Sequence, residues 1–145
     1  MAALIIALLE HSEHGAQVAG CLEQVGYEVV VVGSYPRAKA ILQEHTFDLI
    51  ISDVHLENGG SVFDFLKWVK SEPVLHSIPF VLLSVQPTKL AKYLADGVQT
   101  AARMFGAAKY ITMEEFASAD FVQQIGELLP PGRSTVSTIV TERGD

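Results

Sequence analysis

The sequence predicts an α/β fold, a doubly wound five-stranded parallel sheet with helices on both faces, and three observations carry that prediction. Short apolar runs are continuous rather than alternating, as expected of strands covered on both sides. Segments with apolar residues at three- and four-residue spacing lie between them. The two patterns alternate strictly along the chain, which is the order of a parallel sheet joined by right-handed crossovers.

The strands are expected at residues 4–9, 27–32, 49–52, 80–85 and 109–112, the fourth entered directly after Pro79. Val18, Leu22 and Val25 make the inward stripe of the first helix, and Gly26 stands where a helix stops. The second helix is expected to start near Ser34 to Pro36 and to turn Ala38, Ile41 and Leu42 inward. Phe63, Leu66 and Val69 mark the third. Leu90, Leu94, Val98, Ala101 and Phe105 mark a long fourth helix that tolerates an interior Gly97 at about 1 kcal/mol and ends at Gly106. For the last helix, Thr112 and Glu115 have capping-box spacing and Ile111 and Phe116 that of a hydrophobic staple, predicting a start at Thr112 and a run to about Leu129.

At 145 residues and 49% hydrophobic content the chain is the size of one domain with a substantial core. Pro130, Pro131 and Gly132 interrupt the last helical pattern, so residues 1–129 are read as the domain and 130–145 as a polar tail whose removal leaves the fold intact. A net charge of −7 with no basic run disfavours a nucleic-acid partner. The apolar start is closed by Glu10 and His11 and has no basic residue before it, so neither a signal peptide nor a membrane span is expected, and the cytoplasm is the expected location. Cys21 is the single cysteine and cannot form an intramolecular disulfide. His11, His14, His45, His55 and His76 are scattered and read as surface or loop residues, Trp68 as a packing residue, and Lys67 and Lys70 as solvation of the third helix.

Ligands of such sheets gather at the carboxyl ends of the strands. Those ends supply Glu10, Asp53 and Ser84. Carboxylates at one pole suit a hard cation such as Mg²⁺, and one of them could attack phosphorus once its charge is screened. The same residues could equally cap turns or solvate the sheet edge. No glycine-rich phosphate loop follows a strand.

The stretch Phe47-Asp48-Leu49-Ile50-Ile51-Ser52-Asp53-Val54 resembles the phosphoacceptor strand of the receiver domains of bacterial two-component response regulators. Gly26-Tyr27-Glu28-Val29 is similar to that family's approach to the second strand, Ile78-Pro79-Phe80-Val81-Leu82-Leu83-Ser84 to its fourth strand, and Gly106-Ala107-Ala108-Lys109-Tyr110-Ile111 to its fifth. The resemblance implies a flavodoxin-like, receiver-type fold without enzymatic output. It makes Asp53 the candidate acceptor of a phosphoryl group from a histidine kinase, Ser84 and Tyr110 the switch residues, and Glu10, Asp53 and the backbone carbonyl of His55 the Mg²⁺ ligands.

The departures are as informative. The family's acidic pair falls on Leu9 and Glu10, so one metal-site acid is lost and Mg²⁺ binding is weakened. Its lysine falls on Met113 and the following proline on Glu114. Lys109 cannot replace that lysine, because four residues of extended strand separate the two positions by roughly 13 Å. Val85 narrows access to Asp53, and the link from fourth to fifth strand is longer than usual, which enlarges the fourth helix at the face that commonly meets partners. The partner surface is expected on the fourth and fifth helices, with exposed residues such as Lys92 and Gln99 sensitive to substitution. The leading expectation is a stand-alone receiver-like signalling module acting by protein contact, with phosphorylation at Asp53 impaired. The alternatives are an ordinary phospho-switch served by a histidine kinase, and a small enzyme or cofactor-binding protein on the same fold.

Overall fold

A computed structural model of the chain describes residues 3–9, 12–54, 62–85 and 89–129, with the side chains of residues 12 and 89–95 excepted. Strand and helix alternate throughout: β1 (Leu4–Leu8), α1 (Ser12–Gln24), β2 (Glu28–Val32), α2 (Tyr35–Glu44), β3 (Leu49–Asp53), α3 (Val62–Ser71), β4 (Phe80–Val85), α4 (Lys89–Met104), β5 (Lys109–Met113) and α5 (Ser118–Gly126). The strands form one five-stranded parallel sheet in the order β2-β1-β3-β4-β5, so the predicted doubly wound fold is the observed one. Order reverses between β1 and β3, and Asp53 ends one of the two strands that flank the reversal. No helix among the described residues is long and apolar enough to cross a membrane.

Alternation along each strand sorts its side chains to two faces, which explains why the apolar runs are continuous. Ile6, Leu8, Ile50, Phe80 and Leu82 face α2 and α3 in one apolar cluster, where Phe65 meets Tyr35, Phe80 and Trp68 with ring centroids 5.2, 5.8 and 6.1 Å apart. Ile5, Ala7, Leu49, Ile51, Val81 and Leu83 face α1 and α5 in the other, which includes Val18, Leu22, Phe121 and Ile125. Trp68 packs at the rim of the first cluster with the Lys39 ammonium 5.3 Å over its ring, the packing role expected of it.

The helix boundaries have local causes. Ser34 accepts the Arg37 N–H at the start of α2, where Pro36 costs no hydrogen bond. Gly26 and Gly106 have φ of 100° and 103°, a region side chains disfavour, and each stands just past the end of a helix.

Three expectations are corrected. Val25 is 42% exposed rather than part of the inward stripe, because α1 ends at Gln24 and the chain turns there. The capping box at Thr112 does not form: Thr112 pairs with Ser84 and Met113 with Val85, so strand pairing prevails over the local signal. α5 begins only at Ser118, after an Ala117 cap without a side-chain hydrogen bond, and ends at Gly126. Finally, Lys70 does more than solvate α3. Its ammonium donates to the carbonyls of His76 and Ile78 at 3.0 and 3.3 Å, and burial pulls its pKa down. Lys67 lies over the Phe105 ring, 4.8 Å from its centroid.

Candidate functional site

Asp53 is the last residue of β3, half-buried, and pairs with Leu83 of β4. Ser84, the next residue of β4, is half-buried beside it and pairs with Thr112 of β5. The fold thus brings Asp53 and Ser84 to adjacent strand ends, as the sequence reading required. Ser52 is a residue that reading passed over. It is fully buried among Leu8 and Leu82, and its hydroxyl donates to the Asp53 carbonyl at 3.0 Å. A buried hydroxyl needs such a partner, and here the partner is the backbone carbonyl of Asp53. A lone polar residue inside the apolar run 49–52 was the available signal.

Leu9 and Met113 border this pole from the α1/α5 side. Both belong to the same apolar cluster, with 4% and 8% of their surfaces exposed. The Met113 sulfur also accepts the Ala117 N–H at 3.4 Å, which ties the end of β5 to the approach of α5. The two positions therefore contribute apolar packing to the core.

Lys109 lies at the opposite end of β5, paired with Val81, and its ammonium bonds Glu127 at 2.9 Å. Its exclusion as a phosphate-binding cation holds geometrically.

Tyr110 lies opposite Leu82, two residues below Ser84 along β4, so Tyr110 and Ser84 are diagonal neighbours on one face of the sheet. Burial raises the phenol pKa. The ring helps line a groove of about 260 Å³ between α4, β5 and α5, with Gln99, Arg103, Lys109 and Gln124 around it. Gln99 was expected on this surface, whereas Arg103 and Gln124 were not singled out. Lys92 was also expected there, but its side chain lies outside those described.

Glu10 and His55, two of the three expected Mg²⁺ ligands, lie outside the described residues. Among the described residues no three His, Cys, Asp or Glu side chains gather as a metal site. A hard cation takes oxygen ligands, and at this pole Leu9 offers hydrocarbon while Ser52 is committed to a carbonyl. The described donor set, with Asp53 as its carboxylate, does not by itself fit Mg²⁺.

The comparisons with known proteins agree with this geometry. No family model matches the chain. Over 125 residues it is 31% identical to the phosphate regulon transcriptional regulatory protein PhoB of Escherichia coli, covering 86% of this chain and 51% of that protein. It thus spans about half the length of the curated relatives it matches. The chemotaxis response regulator CheY4 of Vibrio cholerae superposes with a TM-score of 0.75 at 23% identity, over 89% of this chain and all of that one. The signal receiver domain of a signal transduction histidine kinase from Syntrophus aciditrophicus does so with a TM-score of 0.74 at 25% identity, over 92% and 95% of the two chains. Taken with the sheet order and the position of Asp53, these matches support a receiver-type domain similar to those of bacterial two-component response regulators.

Proposed function

We propose that this receiver domain transmits its signal by protein contact across the surface of α4, β5 and α5, and that Asp53 is a poor phosphoacceptor. One observation carries the reading: Leu9 and Met113, at the positions where the resemblance expects an acid and a lysine, are both buried in the apolar cluster on the α1/α5 face. In phosphoryl transfer an Asp53 oxygen would bond to phosphorus while the donor's bond to phosphorus breaks, its electron pair leaving with the donor. Charge then spreads over the three remaining phosphoryl oxygens, and catalysis consists mainly of placing cations against them. The Met113 thioether cannot do that, and Lys109 is engaged with Glu127 at the far end of its strand.

The contact surface follows from what remains well formed. α4 is 16 residues long and presents exposed Gln99 and Arg103 beside the groove that Tyr110 lines. The partner is a signalling protein, with a histidine kinase among the candidates that the family relationship supplies. The ordinary phospho-switch is the second reading, favoured by the adjacency of Asp53 and Ser84 and the diagonal step from Ser84 to Tyr110.

Allelic replacement in the source organism separates the two. The contact reading predicts that Asp53→Asn keeps the wild-type phenotype, while a Gln99→Glu, Arg103→Glu double replacement matches deletion. The reverse pattern supports the phospho-switch and refutes the contact reading.

A further inference from the structure

β2 stands at one edge of the sheet that the described residues form, and its sequence carries few of the features that protect an edge. Four consecutive valines follow Glu28, with no proline and no charge among them. The ladder to β1 fixes which backbone groups face outward. The Glu28 N–H donates to the Ala3 carbonyl at 2.9 Å, and the Val32 carbonyl accepts the Leu9 N–H at 3.0 Å. Residues 28, 30 and 32 therefore bond β1, while the N–H and C=O groups of Val29 and Val31 point away from the sheet. Val31 also keeps 41% of its surface exposed.

These outward groups are self-complementary. A two-fold axis at Val30, perpendicular to the sheet, lays a second copy of β2 antiparallel to the first. Val29 of each copy then stands opposite Val31 of the other, and these are the residues whose N–H and C=O groups are turned outward. Each such pair can exchange N–H···O=C bonds in both directions, as antiparallel pairing requires. Val30 faces its own copy across the axis and Glu28 faces Val32, so no like charges are opposed.

The helices on both faces suit the same axis. Lys39 reaches over Trp68 of α3, so the flank of α2 that carries Lys39 turns inward along the sheet. The opposite flank, toward the β2 edge, carries Arg37, Ile41 and Glu44 at helical spacing, with Arg37 and Glu44 exposed and Ile41 half-buried. α2 starts just past the C-terminal end of β2 and runs back along it, which places Arg37 near one end of the edge and Glu44, with Glu28, near the other. The two-fold operation brings Arg37 of one copy toward Glu44 and Glu28 of the other, and Ile41 toward its own copy. On the other face Gly15 is buried over Val31, where an added Cβ would lie 3.0 Å from the valine Cγ1. α1 is thus seated on β2, and the flank beyond Gly15 carries Ala16 and Ala19, short side chains that let α1 approach its copy.

We propose that two copies of this chain associate through β2, antiparallel about a two-fold axis at Val30, so that their five-stranded sheets become one. Backbone pairing of Val29 with Val31 supplies the joint. Arg37 against Glu44 and Glu28 supplies its register, because a shift along the strand separates these charges. The occupant is the chain itself, since one axis satisfies the outward backbone groups, the charged flank of α2 and the low flank of α1 together. β5 lies at the opposite edge of the sheet, so the pairing leaves the surface of α4, β5 and α5 open to a different protein.

The experiment is sedimentation equilibrium of the full chain over a concentration series, with residue-resolved amide hydrogen exchange at the lowest and highest concentrations. The expected result is a mass that rises to twice that of the chain, with Val29 and Val31 exchanging at least about tenfold more slowly in the dimer than in the monomer. Val30 and Val32, bonded to β1, stay protected throughout and report that the domain is folded. Val31→Lys, which sets a charge on the joint, should leave a folded monomer. Arg37→Glu and Glu44→Arg should each weaken association at least about tenfold, and the two together should recover part of that loss. A single-chain mass at every concentration overturns the proposal, as does a dimer that Val31→Lys and Arg37→Glu leave intact. Protection of Val29 and Val31 in the monomer assigns the edge to another part of the same chain and also overturns it.

Discussion

The sulfur of Met113 accepts the backbone N–H of Ala117 at 3.4 Å, so the side chain at the end of β5 holds the approach of α5 while packing against the core. A lysine in its place has an ammonium that cannot accept this hydrogen bond, and its charge must be kept out of the apolar cluster. Met113→Lys is therefore expected to lower stability by about 1–3 kcal/mol, read as a shift in urea midpoint at unchanged slope. An unchanged midpoint contradicts the packing role.

Tyr110 gives a prediction in pH. Burial raises its pKa in the folded state, so the folded chain keeps the phenolic proton to higher pH than the unfolded chain does. The resulting stability is fully present below the unfolded value of about 10 and is lost as pH rises through the folded one. Wild type should lose more stability than Tyr110→Phe between about pH 9 and pH 11. Equal losses contradict the assignment, as does a wild-type-minus-variant ultraviolet titration that shows no tyrosine ionising above the free-phenol range.

The two left-handed glycines separate backbone strain from crowding. Beside Gly26 no atom lies within 4 Å of an added Cβ, so Gly26→Ala should cost the backbone term alone, about 1–2 kcal/mol. At Gly106 the added Cβ would also lie 3.2 Å from the Lys70 Cε, on the side chain that holds the His76 and Ile78 carbonyls. Gly106→Ala should be the more destabilising of the two in thermal unfolding. Equal midpoints would mean that the Lys70 stem simply moves aside.

These contrasts mark what was legible in the sequence. Continuous apolar runs located all five strands to within a residue or so at each end, because burial on both faces leaves no polar positions inside them. The spacing at Phe63, Leu66 and Val69 located α3 in the same way. The start of α5 was misread because Thr112 and Glu115 satisfy a local rule, while the competing strand pairs with Ser84 and Val85 are non-local. Asp53 and Ser84 were singled out because the strand ends of such a sheet are where ligands gather, and the fold places them on adjacent strands. Ser52, Arg103 and Gln124 were not, since their roles depend on which atoms the fold places opposite them.

The central claim, that Asp53 accepts a phosphoryl group poorly, is tested most directly by intact-mass measurement after incubation with a small-molecule phosphodonor and Mg²⁺, with Asp53→Asn as the control. A charge-assisted hydrogen bond missing from the transition state costs about 1.5–3 kcal/mol, which slows transfer roughly 10- to 150-fold. The account predicts little or no adduct on the wild type. It also predicts a measurable gain when Leu9→Asp and Met113→Lys are introduced together, provided Val85 leaves the approach open. Rapid, stoichiometric addition of one phosphoryl group to the wild type, absent from the control, would contradict it.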